Sequence, residues 1–575
     1  MLRLQSCLKS YALDQDKAVA PEETVQRVRA CLDQKFDGVL GKLDRVDTGR
    51  LGIPVYVSQC GPRARAIMPT RKQMGKGATP SQAEASALME LVERYSFFHF
   101  WENHPFETLT WSEAEARWPD RLLPLSRMLQ SVNERLDEDD ARTVLDLVEW
   151  RFCSALEVAT GREVLLPLDW FKKLNEFNGS SAGNRPEESI LQGACELVER
   201  HVCAVIDKTR PELPTIDPAS SDDAVLVGLL DAFERNGVRV VLKDFSLGLP
   251  VPTVAALAWD PATFPGMSEI VFTAGTSSSP VKAAVRALTE VAQLAGDFST
   301  GRVYEASGLP KFTALEQTEW LLRGPVVNLD SLPEMEHEDI LEELLALAQG
   351  LAEQGYSLYS VDTTPPELDA AANYNVVPGF DFRERTARRS LGLFVGRTLA
   401  EEAPEPQAVI GLEMLAEIYP DAYFIPFFKG LLALRLDDPD SAVEFFARAE
   451  PVQPAAEEQA LAAFYLAYAL SRLERWDEIE APLTRAAELD PEIKEVFNLR
   501  GVARFKAGRY EEAARDFGAA LEIDSGSAPD LANLGLCQKY MGNREAAADY
   551  LGTALQMDPS LDWARPHLEE LLAQE

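Results

Sequence analysis

The chain has 575 residues, 46% of them hydrophobic and 26% charged, which fits soluble globular domains and exceeds what one hydrophobic core usually organises. Its formal net charge of −37 weighs against general affinity for nucleic-acid phosphate or anionic membranes, and no run approaches the roughly 20 apolar residues needed to span a bilayer. The seven cysteines form no C-x-x-C pair and the five histidines are dispersed, so neither zinc nor a His-based triad is indicated and chemistry is expected to run on carboxylates.

Residues 1–7 lack the apolar core of a secretory signal, so a cytoplasmic protein is expected. Further on, Gly75-Lys76-Gly77 lacks the upstream glycine and following hydroxyl of a P-loop and reads as a flexible basic turn. Directly after it, Thr79-Pro80-Ser81-Gln82 has the form of a helix start: Thr79 can accept from the Gln82 N–H, and Pro80 sits where no N–H is needed. Asn184-Arg185-Pro186 approximates this start, and Ser279-Pro280 repeats it.

The three segments share a spacing rule. Counted from each proline, position +6 is Ser86, Gln192 or Arg286, and position +10 is Glu90, Glu196 or Glu290. Position +13 is Glu93, Glu199 or Gln293, and position +14 gives Arg94 and Arg200 in the first two. These offsets put the polar groups on one helical stripe, while flanking residues such as Leu88, Leu197 and Val291 pack elsewhere. Carboxylates held close together raise one another's pKa unless cations intervene, and Mg²⁺ with nucleotide phosphates is the natural partner for such a set. A single helix of this kind is more simply an ordinary charged surface stripe; three copies with matched starts argue for a shared site.

Between these helices, β-rich runs such as Val238-Arg239-Val240-Val241-Leu242 and Ile270-Val271-Phe272-Thr273 indicate an α/β (α+β) domain over residues 1–400. The acidic, proline-containing stretch 401–410 reads as a linker. Residues 411–575 are expected to be an all-α solenoid: Gly501 recurs as Gly535, Gly508 as Gly542, Ala520 as Ala554 and Asp524 as Asp558, the 34-residue period of tetratricopeptide repeats. Two good repeats and two weaker ones are expected. Their concave face is expected to bind a partner protein, with packing on the N-terminal domain or self-association as a homodimer as the alternative uses.

With these motifs in view, positions 10 to 395 resemble the YcaO family of ATP-dependent peptide-backbone-modifying enzymes and accessory proteins. Gly75-Lys76-Gly77-Ala78-Thr79 with Ser86-x-x-x-Glu90-x-x-Glu93-Arg94 is similar to the first ATP-binding motif of that family. Asn184-x-x-x-Glu188 leading to Glu196-x-x-Glu199-Arg200 is similar to the second, and Arg286-x-x-x-Glu290-x-x-Gln293 to the third. Lys17, seven residues before Thr24, resembles an N-terminal pair that reaches the nucleotide. The resemblance implies Glu90, Glu93, Glu188, Glu196, Glu199 and Glu290 as ligands of Mg²⁺ or its waters, and Lys17, Thr24, Ser86, Arg94, Asn184, Arg200 and Arg286 as contacts to ATP.

It also implies activation of a backbone amide, whose oxygen takes the terminal phosphoryl group after a nucleophile adds to the carbonyl carbon, on a protein or peptide substrate. A neighbouring Cys, Ser or Thr gives an azoline, external sulfide a thioamide and an amine an amidine; other members act as accessory factors in ribosomal-protein β-methylthiolation. The helical ending, in place of a proline-rich tail, weighs against the cyclodehydratase reading. A non-catalytic ATP-binding adaptor is a further alternative. Cys195, Cys203, His99 and His201 lie near the motifs and are expected to serve packing or hydrogen bonding rather than chemistry.

Overall fold

The computed structural model describes residues 2–47, 50–266, 268–295, 312–383 and 388–573. The chain forms two compact units, one of residues 1–136 and 149–389, the other of residues 137–148 and 390–575.

Among its described residues the first unit contains three sheets, and each delivers one of the long proline-started helices. A three-stranded antiparallel sheet, Leu40–Arg45, Val55–Cys60 and Lys72–Lys76, leads into helix Pro80–Asn103. A six-stranded sheet has Ser180–Gly183 at one edge, just before helix Pro186–Thr209. A five-stranded sheet ends at the edge strand Val271–Thr276, which precedes helix Pro280–Ala295. Among the described residues the strands pair antiparallel except for the short parallel contact of Val326–Val327 with Thr215–Ile216, beside an isolated parallel bridge between Leu122 and Leu165, so the unit is of the α+β kind. The two β-rich runs read from the sequence correspond to strands Arg239–Asp244 and Val271–Thr276.

The repeated spacing has a packing counterpart. In each sheet a glycine on the last strand lies against the backbone of the helix that follows. A Cβ at Gly75 would overlap the Ala87 N–H and stand 2.5 Å from the Ala83 carbonyl oxygen; at Gly275 it would overlap the Ala283 carbonyl and stand 2.5 Å from the Ala287 nitrogen. At Gly183 it would stand 2.6 Å from the Ser189 nitrogen. The residues met lie three and seven positions beyond Pro80 and Pro280, and three beyond Pro186. Only glycine permits this approach of strand to helix. Hydroxyls pin it: Ser58 donates to the Ala87 carbonyl at 2.7 Å and Thr273 to the Ala287 carbonyl at 2.8 Å.

Helix starts follow the expected chemistry in part. Thr79 accepts from the Gln82 N–H at 3.2 Å. Before Pro186 no side chain caps the helix, because Asn184 turns its amide to Glu188 instead.

In the second unit, four helical hairpins run from Phe424–Arg435 with Pro439–Ala449 to Ala528–Tyr540 with Arg544–Met557. Gly501 and Gly535, one 34-residue period apart, face the side chains sixteen residues later, Phe517 and Leu551, so these small-residue positions are where paired helices touch; Gly430, off that grid, faces Phe446 in the same way. Gly508 and Gly542 take positive φ of 75° and 86° at the hairpin turns.

Two expectations about boundaries change. The stretch 401–410 is not extended: helix Leu391–Glu401 is followed at once by helix Glu405–Ile418, with Pro406 in its first turn, where proline removes no intrahelical bond. The change of unit falls between 389 and 390, and the second unit also takes helix Glu138–Asp146, whose neighbour Leu147 accepts from Gln407 at 2.8 Å. Apolar residues of that helix, Ala141, Val144 and Leu145, are fully buried.

Candidate functional site

The acidic stripes of the three long helices face a common cleft of about 230 Å³ in the first unit. Every residue expected from the sequence lines it: Glu90, Glu93, Glu188, Glu196, Glu199 and Glu290, together with Lys17, Thr24, Ser86, Arg94, Asn184, Arg200 and Arg286. Residues more than 270 positions apart are thereby brought to one place. Sequence reasoning missed Gln15, Met74 and Gln82, and it left Gln192 and Gln293 as members of the stripe without a role at the site.

Lys76 also lines the cleft and corrects an expectation. It is the last residue of strand Lys72–Lys76 rather than part of a flexible turn, and Gly75 and Gly77 on either side pack against helix Pro80–Asn103. Alternation along a strand then directs Lys76 away from that packed face.

Each helix secures its acids differently. On the first, Glu93 accepts from Ser180 at 2.9 Å and pairs with Arg94 at 3.1 Å, while Arg94 donates to Ser180 at 2.9 Å and lies 4.2 Å over the Phe177 ring. On the second, Arg200 pairs with Glu196 at 2.8 Å, and Glu199 accepts from the Thr276 N–H at 2.9 Å. Glu188 accepts from the Ala18 N–H at 2.9 Å, faces Lys17 at 3.7 Å and receives the Asn184 amide. The Asn184 carbonyl oxygen in turn accepts from Thr24 at 2.9 Å and from Arg27 at 2.6 Å. Arg27 was not anticipated; nothing in its local sequence marks it, because its partners Asn184 and Asp369 are distant along the chain. On the third helix, Arg286 donates to Gln192 at 2.9 Å and Glu290 pairs with Lys76.

Burial raises the carboxyl pKa of Glu90, Glu93 and Glu199, and that of Glu93 reaches about 8 with Glu196 and Glu90 adding to the effect. Lys76 is pushed the other way, to about 8, by burial and by Arg286. These are the marks of like charges desolvated together, for which multivalent cations are the physical remedy. Arg286 Nε is buried without a hydrogen-bond partner, a donor aimed at no acceptor of the protein itself. The donor set, hard carboxylate oxygens with arginine, lysine and amide groups around them, fits a metal–nucleotide phosphate group. Among the described residues, however, no three carboxylates stand close enough together to grip one ion as placed; their oxygens are drawn to the cleft's own cations and N–H groups.

Cys195 lies outside the cleft in a small adjoining cavity, and burial holds the thiols of Cys195 and Cys203 at about 12, far from a thiolate at neutral pH. His201 stacks on Phe380 at 4.3 Å and accepts from the Asp381 N–H at 2.9 Å, while His99 packs beside Tyr95. These four side chains serve packing and hydrogen bonding. No helix among the described residues is long and apolar enough to cross a membrane.

Residues 74–381 match the family described as YcaO cyclodehydratase, ATP- and Mg²⁺-binding, and residues 531–561 match a tetratricopeptide repeat. An uncharacterized protein of Methanothermobacter thermautotrophicus is 28% identical over 404 residues, covering 65% of this chain and 98% of that one. The ribosomal protein S12 methylthiotransferase accessory factor YcaO of Escherichia coli is 30% identical over 218 residues, 33% of this chain and 35% of that protein. A solved heterocyclase in complex with substrate and cofactor shares the fold with a TM-score of 0.54 at 23% identity; the match covers 66% of this chain and about half, 54%, of that one. The family match spans more than half of the sequence and contains all three acidic helices, and the chain belongs to the YcaO family, with a tetratricopeptide repeat following the YcaO domain.

Proposed function

We propose that this protein uses Mg-ATP to activate a backbone amide of a protein or peptide, with its helical repeats recruiting the substrate or a partner enzyme. The observation that carries this reading is the convergence of all thirteen expected residues, from four separate stretches of sequence, on one half-buried, carboxylate-rich cleft. In this reading Glu90, Glu93, Glu188, Glu196, Glu199 and Glu290 hold the divalent cations directly or through water. Lys17, Thr24, Ser86, Arg94, Asn184, Arg200 and Arg286 orient the nucleotide and neutralise its phosphate charge. Bound ATP supplies the phosphoryl group that turns the amide oxygen into a leaving group. Such chemistry asks the protein mainly for positioning and charge compensation, and a site built from guanidinium, ammonium and amide groups on and around three anchored helices suits both.

Within the family's roles, the similarity to the E. coli S12 methylthiotransferase accessory factor and the presence of repeats favour a protein-directed role, as an accessory factor in ribosomal-protein β-methylthiolation or in thioamidation. The test is ATP turnover by the purified protein with ribosomal proteins and peptides, read together with mass spectrometry of those substrates. Turnover with sulfur-for-oxygen exchange supports thioamidation, an altered methylthio mark supports the accessory role, and water loss would move the assignment to azoline formation. Tight Mg-ATP binding without hydrolysis in the presence of any of these partners would overturn the enzymatic reading in favour of an adaptor.

A further inference from the structure

We propose that Lys76 is a tethered counter-cation of the glutamate cluster: in the nucleotide-free protein its ammonium holds Glu290 and faces the other acids, and it must give way for a divalent cation to bind there. The inference rests on the reading of the cleft as a cation–nucleotide site, and concerns how this chain prepares that site.

The charges that act on Lys76 come from all three helices. Glu90 on the first, Glu196 and Glu199 on the second and Glu290 on the third attract it, and Arg286 on the third repels it. The other cations of the cleft are committed elsewhere: Arg94 to Glu93 and Ser180, Arg200 to Glu196 on its own helix, Arg286 to Gln192 on the second helix, and Lys17 to Glu188. Lys76 instead reaches from a strand of one sheet to the helix that follows another, with its side chain 19% exposed.

Its backbone has no freedom to follow. Gly75 and Gly77 are pressed onto helix Pro80–Asn103 at Ala83, Ala87 and Gln82, so the charge can move only along its own flexible stem. A single positive charge on such a stem satisfies one carboxylate at a time. A divalent cation gathers several oxygens at once and releases the lysine, which is then available to phosphate.

The titration uses full-length protein without nucleotide or peptide, and Mn-ATP binding and peptide modification are read on the same protein separately. Mn²⁺ binding is titrated by the electron paramagnetic resonance signal of the free ion for wild type, Lys76→Met and Lys76→Arg. Lys76→Met is expected to bind Mn²⁺ more than tenfold tighter than wild type and to gain more thermal stability on adding the ion; Lys76→Arg, which keeps the charge, should bind Mn²⁺ as weakly as wild type. Equal or weaker binding by Lys76→Met would overturn the proposal. If Lys76→Met does not fold, reductive methylation of wild-type Lys76, mapped by mass spectrometry, decides the matter: saturating Mn²⁺ should increase its modification, and no change or protection would overturn the proposal. Wild type that binds Mn-ATP but modifies no peptide would remove the proposed activity and leave the lysine to the titration. Failure of all three proteins to bind Mn²⁺ even with ATP would remove the site reading and this inference together.

Discussion

Replacing Gly75 by alanine should damage both the stability and the ligand affinity of the first unit, because strand and helix meet there backbone to backbone. The added Cβ would stand 2.5 Å from the Ala83 carbonyl oxygen and from the Ala87 Cα, and nearer still to the Ala87 nitrogen. Relief to an ordinary contact distance requires the strand and helix to part by at least about 1 Å, since apolar contacts settle near 3.5–4 Å. No flexible side chain can absorb this, as the atoms met are all backbone. Overpacking of this kind costs about 1–3 kcal/mol or more. The displacement also moves Lys76 relative to Glu90, and a misplacement of about 1 Å can cost on the order of a hundredfold at a reacting site. The assay is thermal unfolding, following the transition that shifts with Mg-ATP, together with calorimetric titration of Mg-ATP. Gly518→Ala is the control: it lies in helix Tyr510–Ile523 with nothing within 4 Å of its Cβ position, and there the change should be neutral or stabilising by up to about 1 kcal/mol. A Gly75→Ala protein that melts and binds Mg-ATP as wild type does would refute the argument that close glycine packing sets the cleft.

Glu90→Gln and Glu199→Gln keep side-chain size and remove one charge each, so Mg-ATP affinity should fall by more than about tenfold while the fold is retained; calorimetric titration showing unchanged affinity would remove these residues from the site. Chelation of divalent cations should abolish retention of a fluorescent ATP analogue, and full retention in EDTA would show that the glutamates do not act through metal. Gly501→Ala would bring a Cβ to 2.9 Å from the Phe517 ring, so it should destabilise the helical unit by about 1–3 kcal/mol in thermal unfolding; an unchanged melting transition would contradict the reading of the glycines as helix-contact positions.

What the sequence determined by itself is what short-range periodicity encodes. Helical spacing fixes which residues share a stripe, so the match of Glu90, Glu196 and Glu290, and of Glu93 and Glu199, was legible without any structure. The same holds for the hairpin repeats, because three of the four rebuild their contact from a local glycine and a large side chain sixteen residues on. Prolines were read less well: Pro404 and Pro406 punctuate a linker as naturally as they begin a helix, and only the packing of the adjoining helices distinguishes the two. Tertiary structure alone decided that residues 137–148 join the second unit, that Arg27 braces Asn184, and that Lys76 stands among acids from all three helices. These relations join residues up to more than 200 positions apart, and the last of them depends on sheets that each press a glycine onto a helix, a meeting of surfaces that no local pattern records.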